Sequence, residues 1–243
     1  MKYVETVWEK RNLGVDSCRF DIEDTDGIKD VINRIQECNK EYIEVSVNPG
    51  RLEAVWSLEE IGFRFIEAIY ELTLKKRDIV VPSMFKRFEK DSSYGEATEE
   101  EKKEILEQIR TGKMFLSDKI ALNPNFGTKA AGERYYLWMK DHFEGGGICY
   151  SARYKGELIG FDAATVKDGN VELLLGGVLP KFSGAGVASV FQVGRLLYFA
   201  SVDVNEITVR ISTNNFANMR ANEAMGFRLR DAKYYLLRYD VHK

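Results

Sequence analysis

The chain reads as an α/β protein, a mixed central sheet flanked by helices and preceded by a smaller, truncated αβ segment of the same plan. Three observations predict this. Strand-like and helix-like stretches alternate along most of the 243 residues. Asn170 to Gln192, NVELLLGGVLPKFSGAGVASVFQ, passes from a short apolar strand through a Pro- and Gly-rich turn into a helix. Finally, Leu58-Glu59-Glu60-Ile61-Gly62-Phe63-Arg64 is echoed 164 residues later by Asn222-Glu223-Ala224-Met225-Gly226-Phe227-Arg228. At the same displacement Ile43 and Val45 meet Ile207 and Val209, while Ala68, Tyr70 and Leu72 meet Ala232, Tyr234 and Leu236.

Taken in order, 17–22 alternates polar and apolar as a half-buried strand does. Asp24 or Asp26 can cap a helix whose one face carries Ile28, Val31, Ile32 and Ile35. A strand over 41–47, a turn at Asn48-Pro49-Gly50 and a helix with Leu52, Val55, Trp56 and Leu58 inward follow, then a long strand over 63–74. The residues divide into 1–82, a linker at 83–97, and a main domain over 98–243. Thr98 with Glu101 forms a capping box for a helix through Ile109. A loop at 122–127 precedes a helix with Tyr135, Leu137, Trp138 and Phe143, which ends at Gly145-Gly146-Gly147; Tyr135 and Trp138 are expected in the core. Strands over 148–154 and 157–166 join at the hairpin Lys155-Gly156. After the strand–turn–helix come a strand over 206–212, a helix over 215–225 and a final strand over 227–239.

Composition narrows the chemistry. Hydrophobic residues at 44% and aromatics at 12% allow a sizeable core, and a net charge of -3 gives no pull towards nucleic acid or membrane surfaces. No basic stripe and no bilayer-length apolar run is present, and MKYVETVWEKRN lacks the apolar core of a signal peptide, so a cytoplasmic protein is expected. Cys18, Cys38 and Cys149 are widely spaced, with only His142 and His242 beside them, so no metal site is expected.

The turn at 180–186 carries the function. Pro180 stops the strand because it has no amide proton for the ladder. Ser183-Gly184-Ala185-Gly186 has little side-chain bulk, and the helix from Val187 presents free amides and about half a positive charge, a ready phosphate site. Lys181 adds a full charge at the mouth. The pattern predicts a bound diphosphate. The run Val178-Leu179-Pro180-Lys181-Phe182-Ser183-Gly184-Ala185-Gly186 resembles the [QR]-x-x-G-x-[GA] signature of the GCN5-related N-acetyltransferases, with Lys181 at the usual Gln or Arg position. The resemblance covers about residues 98 to 243 and implies acetyl-CoA as cosubstrate. Its ligands would be Gly177, Val178, Lys181, Ser183, Gly184, Ala185, Gly186, Val187 and Ala188.

The same resemblance places Asn215, eleven residues before Gly226, at the Asn that bonds the pantetheine arm. It places Asn222 where many members carry a Tyr that protonates the leaving thiolate, so either a hydrogen bond from Asn222 suffices, or Tyr234 or Tyr235 is the donor, or the chain binds the coenzyme without catalysis. Glu172 stands where some members keep a general base, on an otherwise apolar strand that would raise its pKa; the other possibility is a solvated strand end. Amides near Gly177 and Val178 would polarise the thioester carbonyl. Asn48 through Glu67, Asn123 through Trp138 and Gly184 through Ala188 are similar to the nucleotide-sugar branch, the dTDP-fucosamine acetyltransferases, which also carry a truncated amino-terminal domain. This implies a small-molecule amine as partner, with Asn123 and Arg134 (or Lys119 and Lys129) facing the sugar nucleotide; a homodimer stays open.

Overall fold

The computed structural model describes residues 1–184 and 186–240. In chain order the elements are β1 (Lys2–Glu5), α1 (Trp8–Leu13), β2 (Ser17–Asp21), α2 (Ile28–Gln36), β3 (Tyr42–Val47), α3 (Leu52–Glu60) and β4 (Arg64–Lys75). There follow β5 (Ser92–Glu96), α4 (Glu99–Arg110), α5 (Lys119–Leu122), α6 (Gly127–Glu144), β6 (Ile148–Tyr154), β7 (Glu157–Lys167) and β8 (Asn170–Val178). The last are α7 (Val187–Ser201), β9 (Glu206–Ser212), α8 (Phe216–Ala224) and β10 (Arg228–Tyr239). Two compact units result. The first holds Met1–Tyr70, Ser212–Asn214 and the described residues from Asp231; the second holds Glu71–Ile211 and Asn215–Arg230.

In the first unit the strands run in the order β1-β2-β3-β10-β4. Strands β2 and β3 are parallel, while β1 and β10 join antiparallel. Phe20, Val45 and Leu236 meet Val31 and Ile35 of α2 and Ala54 and Leu58 of α3 in a closed apolar core. Two expectations change here. The residue at the start of α2 is Gly27, without a side-chain cap, because Asp26 is held instead by the Met1 amine and the Glu23 amide. On α3 the inward stripe is Ala54 and Leu58, so Leu52 and Trp56 are exposed.

The second unit runs β4-β9-β8-β7-β6-β5. One face is covered by α7, which buries Val190, Phe191, Val193, Leu196 and Phe199 against it. The other is covered by α4 and α6 through Ile105, Ile109, Tyr135 and Met139. The capping box at Thr98 and Glu101 is formed. Residues 92–96 of the stretch read as a linker are β5, paired with β6 from Ser92↔Tyr154 to Glu96↔Tyr150. Two serines and a glycine in five residues carry little alternation, yet the strand drives Tyr94 into the core. Tyr135 is core as expected, whereas Trp138 is 36% exposed.

The internal echo is structural. Displaced by 164 residues, α3 falls on α8 and β4 on β10, end for end. Each helix closes the same way. Phe63 donates its amide to the Leu58 carbonyl at 3.0 Å and Phe227 to Asn222 at 3.1 Å. The glycines before them, Gly62 and Gly226, sit at φ 95° and 94°, a left-handed bend that side-chain-bearing residues avoid.

Candidate functional site

Two parallel strands part company in the second unit. Strands β8 and β9 pair only from Asn170↔Glu206 to Leu173↔Val209, although β8 runs on to Val178 and β9 to Ser212. The cause is a bulge. Opposite β7, Ala164 faces Leu173 and Ala163 faces Leu175, so Leu174 is the extra residue that bends β8 away. Leu179 then donates its amide to the Ile159 carbonyl at 2.8 Å. Strand amides alternate sides, so Gly177 also points to β7, while Gly176 and Val178 turn their N–H and C=O to the opening. Gly176 is obligatory for another reason: a Cβ there would lie 2.1 Å from Asp162 Oδ1.

The opening leads into the turn before α7. Ser183 returns its amide to the Pro180 carbonyl at 3.1 Å. Gly184 and Gly186 adopt φ of 80° and 70°, and a Cβ on either would meet nothing within 4 Å. They are glycines for backbone shape, in open space. Gly186 heads α7 with no side-chain cap. The amides of Gly184, Gly186, Val187 and Ala188 have no acceptor among the described residues, and Ala185 lies outside them. Lys181 pairs with Glu157 at 3.3 Å and Glu104 at 3.7 Å, which draws its charge partly to those carboxylates.

Behind the turn α7 is pinned by a buried polar cluster. Arg195 donates twice to Asp162, at 2.9 and 3.0 Å, with both side chains only 4% exposed. It also donates to Gln192 Oε1 at 3.0 Å and Asn222 Oδ1 at 3.3 Å. Tyr94 donates to Asp162 at 2.8 Å. Burial pushes the Tyr94 hydroxyl up well above its ordinary value. Asn222 is 1% exposed, and its Nδ2 donates to Asn218 O and Oδ1, both at 2.9 Å. Both amide protons are therefore engaged, and the side chain belongs to this cluster. Asn215 accepts from the Asn218 amide at 3.3 Å, which caps α8. None of Tyr94, Asp162, Gln192 or Arg195 was singled out from the sequence. The signal was there in a lone Asp inside LIGFDAAT and a lone Arg inside VGRLLYF.

Glu172 is half-buried and ion-paired with Arg210 at 2.6 Å, the polar surroundings of the second of its two possible settings. Arg210 and Arg230 both reach Glu71, at 3.0 and 2.8 Å, and Arg230 also pairs with Glu206. Burial raises the Glu71 carboxyl, but hydrogen bonds from Arg230 and Arg210 outweigh it and hold the group below its usual range. Glu172, Glu206, Arg210 and Arg230 line a cleft of about 410 Å³ with Thr165 and Thr208. Tyr234 lies on β10 in the first unit, opposite Val47 and edge-on to Phe65. Asn123 is turned inward to its own loop, accepting from the Asn125 amide at 3.0 Å. Arg134 on α6 stacks 5.3 Å from the Tyr135 ring. A wider cleft of about 780 Å³ follows α2 in the first unit, lined by Asp26, Asp30 and Glu37 among others. Among the described residues no group of His, Cys, Asp and Glu is arranged to hold a metal ion, and no helix is long and apolar enough to cross a membrane.

Neither a family profile nor a curated protein matches the sequence. Solved structures do match the fold. A functionally unknown conserved protein from Staphylococcus epidermidis aligns over 93% of this chain and 85% of its own, at 12% identity and a TM-score of 0.61. A GCN5-related N-acetyltransferase from Kribbella flavida aligns over 92% and 81%, at 13% identity and a TM-score of 0.53. A tandem GNAT protein from the clavulanic acid biosynthesis pathway aligns over 93% and 76%, at 12% identity and a TM-score of 0.53. With the parted strands, the glycine turn and the repeated strand–helix–strand, these likenesses establish that the chain has the fold of the GCN5-related N-acetyltransferases.

Proposed function

We propose that the second unit binds acetyl-CoA in the opening between β8 and β9 and passes the acetyl group to the amine of a small molecule. One observation carries this reading: a strand that loses its partner after Leu173 runs into a left-handed glycine turn whose amides have no acceptor among the described residues. Those amides and the positive end of α7 suit a diphosphate. The free edge at Val178 suits an amide-bearing arm, and the Gly176 amide faces the place of a thioester carbonyl. One such donor contributes about 3 kcal/mol to a developing oxyanion. Asn215 keeps its amide group for the arm while its oxygen caps α8.

In the reaction the amine nitrogen attacks the thioester carbon, the C–S bond breaks and coenzyme A leaves as thiolate. No covalent enzyme intermediate is needed. Glu172, on the sheet face away from α7, takes the amine proton through water. The thiolate takes up a proton from water. The acceptor is a nucleotide-linked amino sugar, a dTDP-4-amino-4,6-dideoxyhexose by the sequence resemblance, with Arg134 and Asn123 on the acceptor side. The second unit carries the chemistry, and the first is a truncated relative of it. A second reading is coenzyme binding without turnover, favoured by the buried, fully engaged amide of Asn222. Thiol release from acetyl-CoA with dTDP-amino sugars separates the two. Steady thiol release on a dTDP-amino sugar supports the scheme, whereas tight coenzyme binding with no release on any amine supports the second. If Gly184→Val leaves acetyl-CoA affinity unchanged, the phosphate turn is wrongly assigned.

A further inference from the structure

We infer that Gly177 and Met114 shape the acyl pocket, and that the site takes straight acyl chains longer than acetyl. The inference rests on the coenzyme reading above and adds the donor's acyl class to it.

Side chains on β8 alternate between the two faces of the sheet. Val178 packs on the α7 side, with the core that holds Val190 and Phe191. Leu175 and Leu179 pack on the opposite side, with the core under α4 and α6. Gly177 shares the parity of those two leucines, so its missing side chain would point to the α4–α6 face. A coenzyme whose phosphates sit on the amino end of α7 starts on one face. Threaded through the gap between β8 and β9, it delivers its acyl end on the other, where Gly177 lies.

The glycine there has no structural excuse. Its φ is not in the left-handed range, unlike Gly184 and Gly186. Its neighbour Gly176 and its partner-strand Gly160 would each drive a Cβ into another atom, at 2.1 Å and 2.6 Å. At Gly177 a Cβ would meet only Met114 Cε, at 4.0 Å, an ordinary contact. A glycine inside a strand weakens it, and where packing does not require one, it marks room for something to approach. Met114, from the connection between α4 and α5, is half-buried and flexible, a side chain suited to walling a hydrophobic slot of adjustable depth. Leu175 and Leu179, which flank that position on the same face, belong to an apolar core, a setting that suits methylenes and not a charged acyl group.

The test is binding of coenzyme A, acetyl-CoA and butyryl-CoA to the full chain by calorimetry. The wild type is expected to hold butyryl-CoA within about threefold of acetyl-CoA. Gly177→Val should weaken butyryl-CoA at least tenfold more than it weakens coenzyme A itself, and adding Met114→Ala should restore most of that difference. Gly177→Ala, which only touches Met114, serves if the valine variant does not fold. A variant that weakens all three ligands equally, or none, overturns the pocket. So does a wild type that binds acetyl-CoA and rejects butyryl-CoA. A wild type that binds none of the three overturns the coenzyme reading itself, and the two failures are told apart by that control.

Discussion

Removing one carboxylate tests the cluster that anchors α7. Asp162 receives two bonds from Arg195 and one from Tyr94, and both charged side chains are 4% exposed. In Asp162→Ala the guanidinium stays buried against the Phe191 ring and the amide oxygens of Gln192 and Asn222. None of these carries charge. Stranding a buried ion in this way costs about 3 to 5 kcal/mol. The orphaned Tyr94 hydroxyl falls within the same cost, because it shares the site. With a urea slope of about 3 kcal/mol/M for a chain of this size, the midpoint should fall by about 1 to 1.7 M. The control is the double variant Asp162→Leu, Arg195→Met, which removes both charges and should recover most of the loss. A single variant within about 1 kcal/mol of the wild type, or a double variant as unstable as the single, would refute the reasoning.

Other outcomes follow from the same geometry. Gly184→Val forces a β-branched residue to a φ of 80° and crowds the open amides, so acetyl-CoA affinity should drop at least tenfold in a calorimetric titration. Glu71 is held below its usual range in the fold, so its contribution is present above the unfolded pKa and lost as pH falls through the folded one. Glu71→Gln should lower Tm at pH 7 and flatten the acid loss, as read by Tm against pH. Burial pushes the Cys18 and Cys149 thiols up to about 12, leaving almost no thiolate at pH 8. Half-buried Cys38 should therefore take up iodoacetamide at least tenfold faster, as peptide mass spectrometry would show.

What the sequence revealed depends on how local the signal is. The glycine turn, the capping box at Thr98 and the paired closures at Gly62 and Gly226 are each set by a few adjacent residues, and each appears where spacing places it. Strand β5 and helix α1 are short and lack periodicity, so only pairing and packing define them. The site splits the same way. The open amides around Gly184 and Gly186 are legible as composition. The part played by Leu174 is not, because a bulge exists only relative to the partner strand. Asn222 shows the limit most plainly: spacing from Gly226 sets its position on α8, but only the fold brings Arg195 from 27 residues away to claim its oxygen.

The repeat makes one last quantity predictable, the number of coenzymes per chain. In the first unit β2, α2 and β3 stand in the places of β8, α7 and β9. There the strands do not part. They pair from Ser17↔Tyr42 to Asp21↔Ser46, and Ile22 extends the ladder to the Ser46 carbonyl at 2.9 Å. The turn into α2 carries Glu23, Asp24 and Asp26 in place of small neutral residues, and Arg51 binds the Glu23 and Asp26 carbonyls. A diphosphate would meet like charge and find no gap for its arm, since threading it would require breaking an intact ladder. One acetyl-CoA per chain is therefore expected, and a calorimetric stoichiometry near two would show that the paired strands of the first unit open after all.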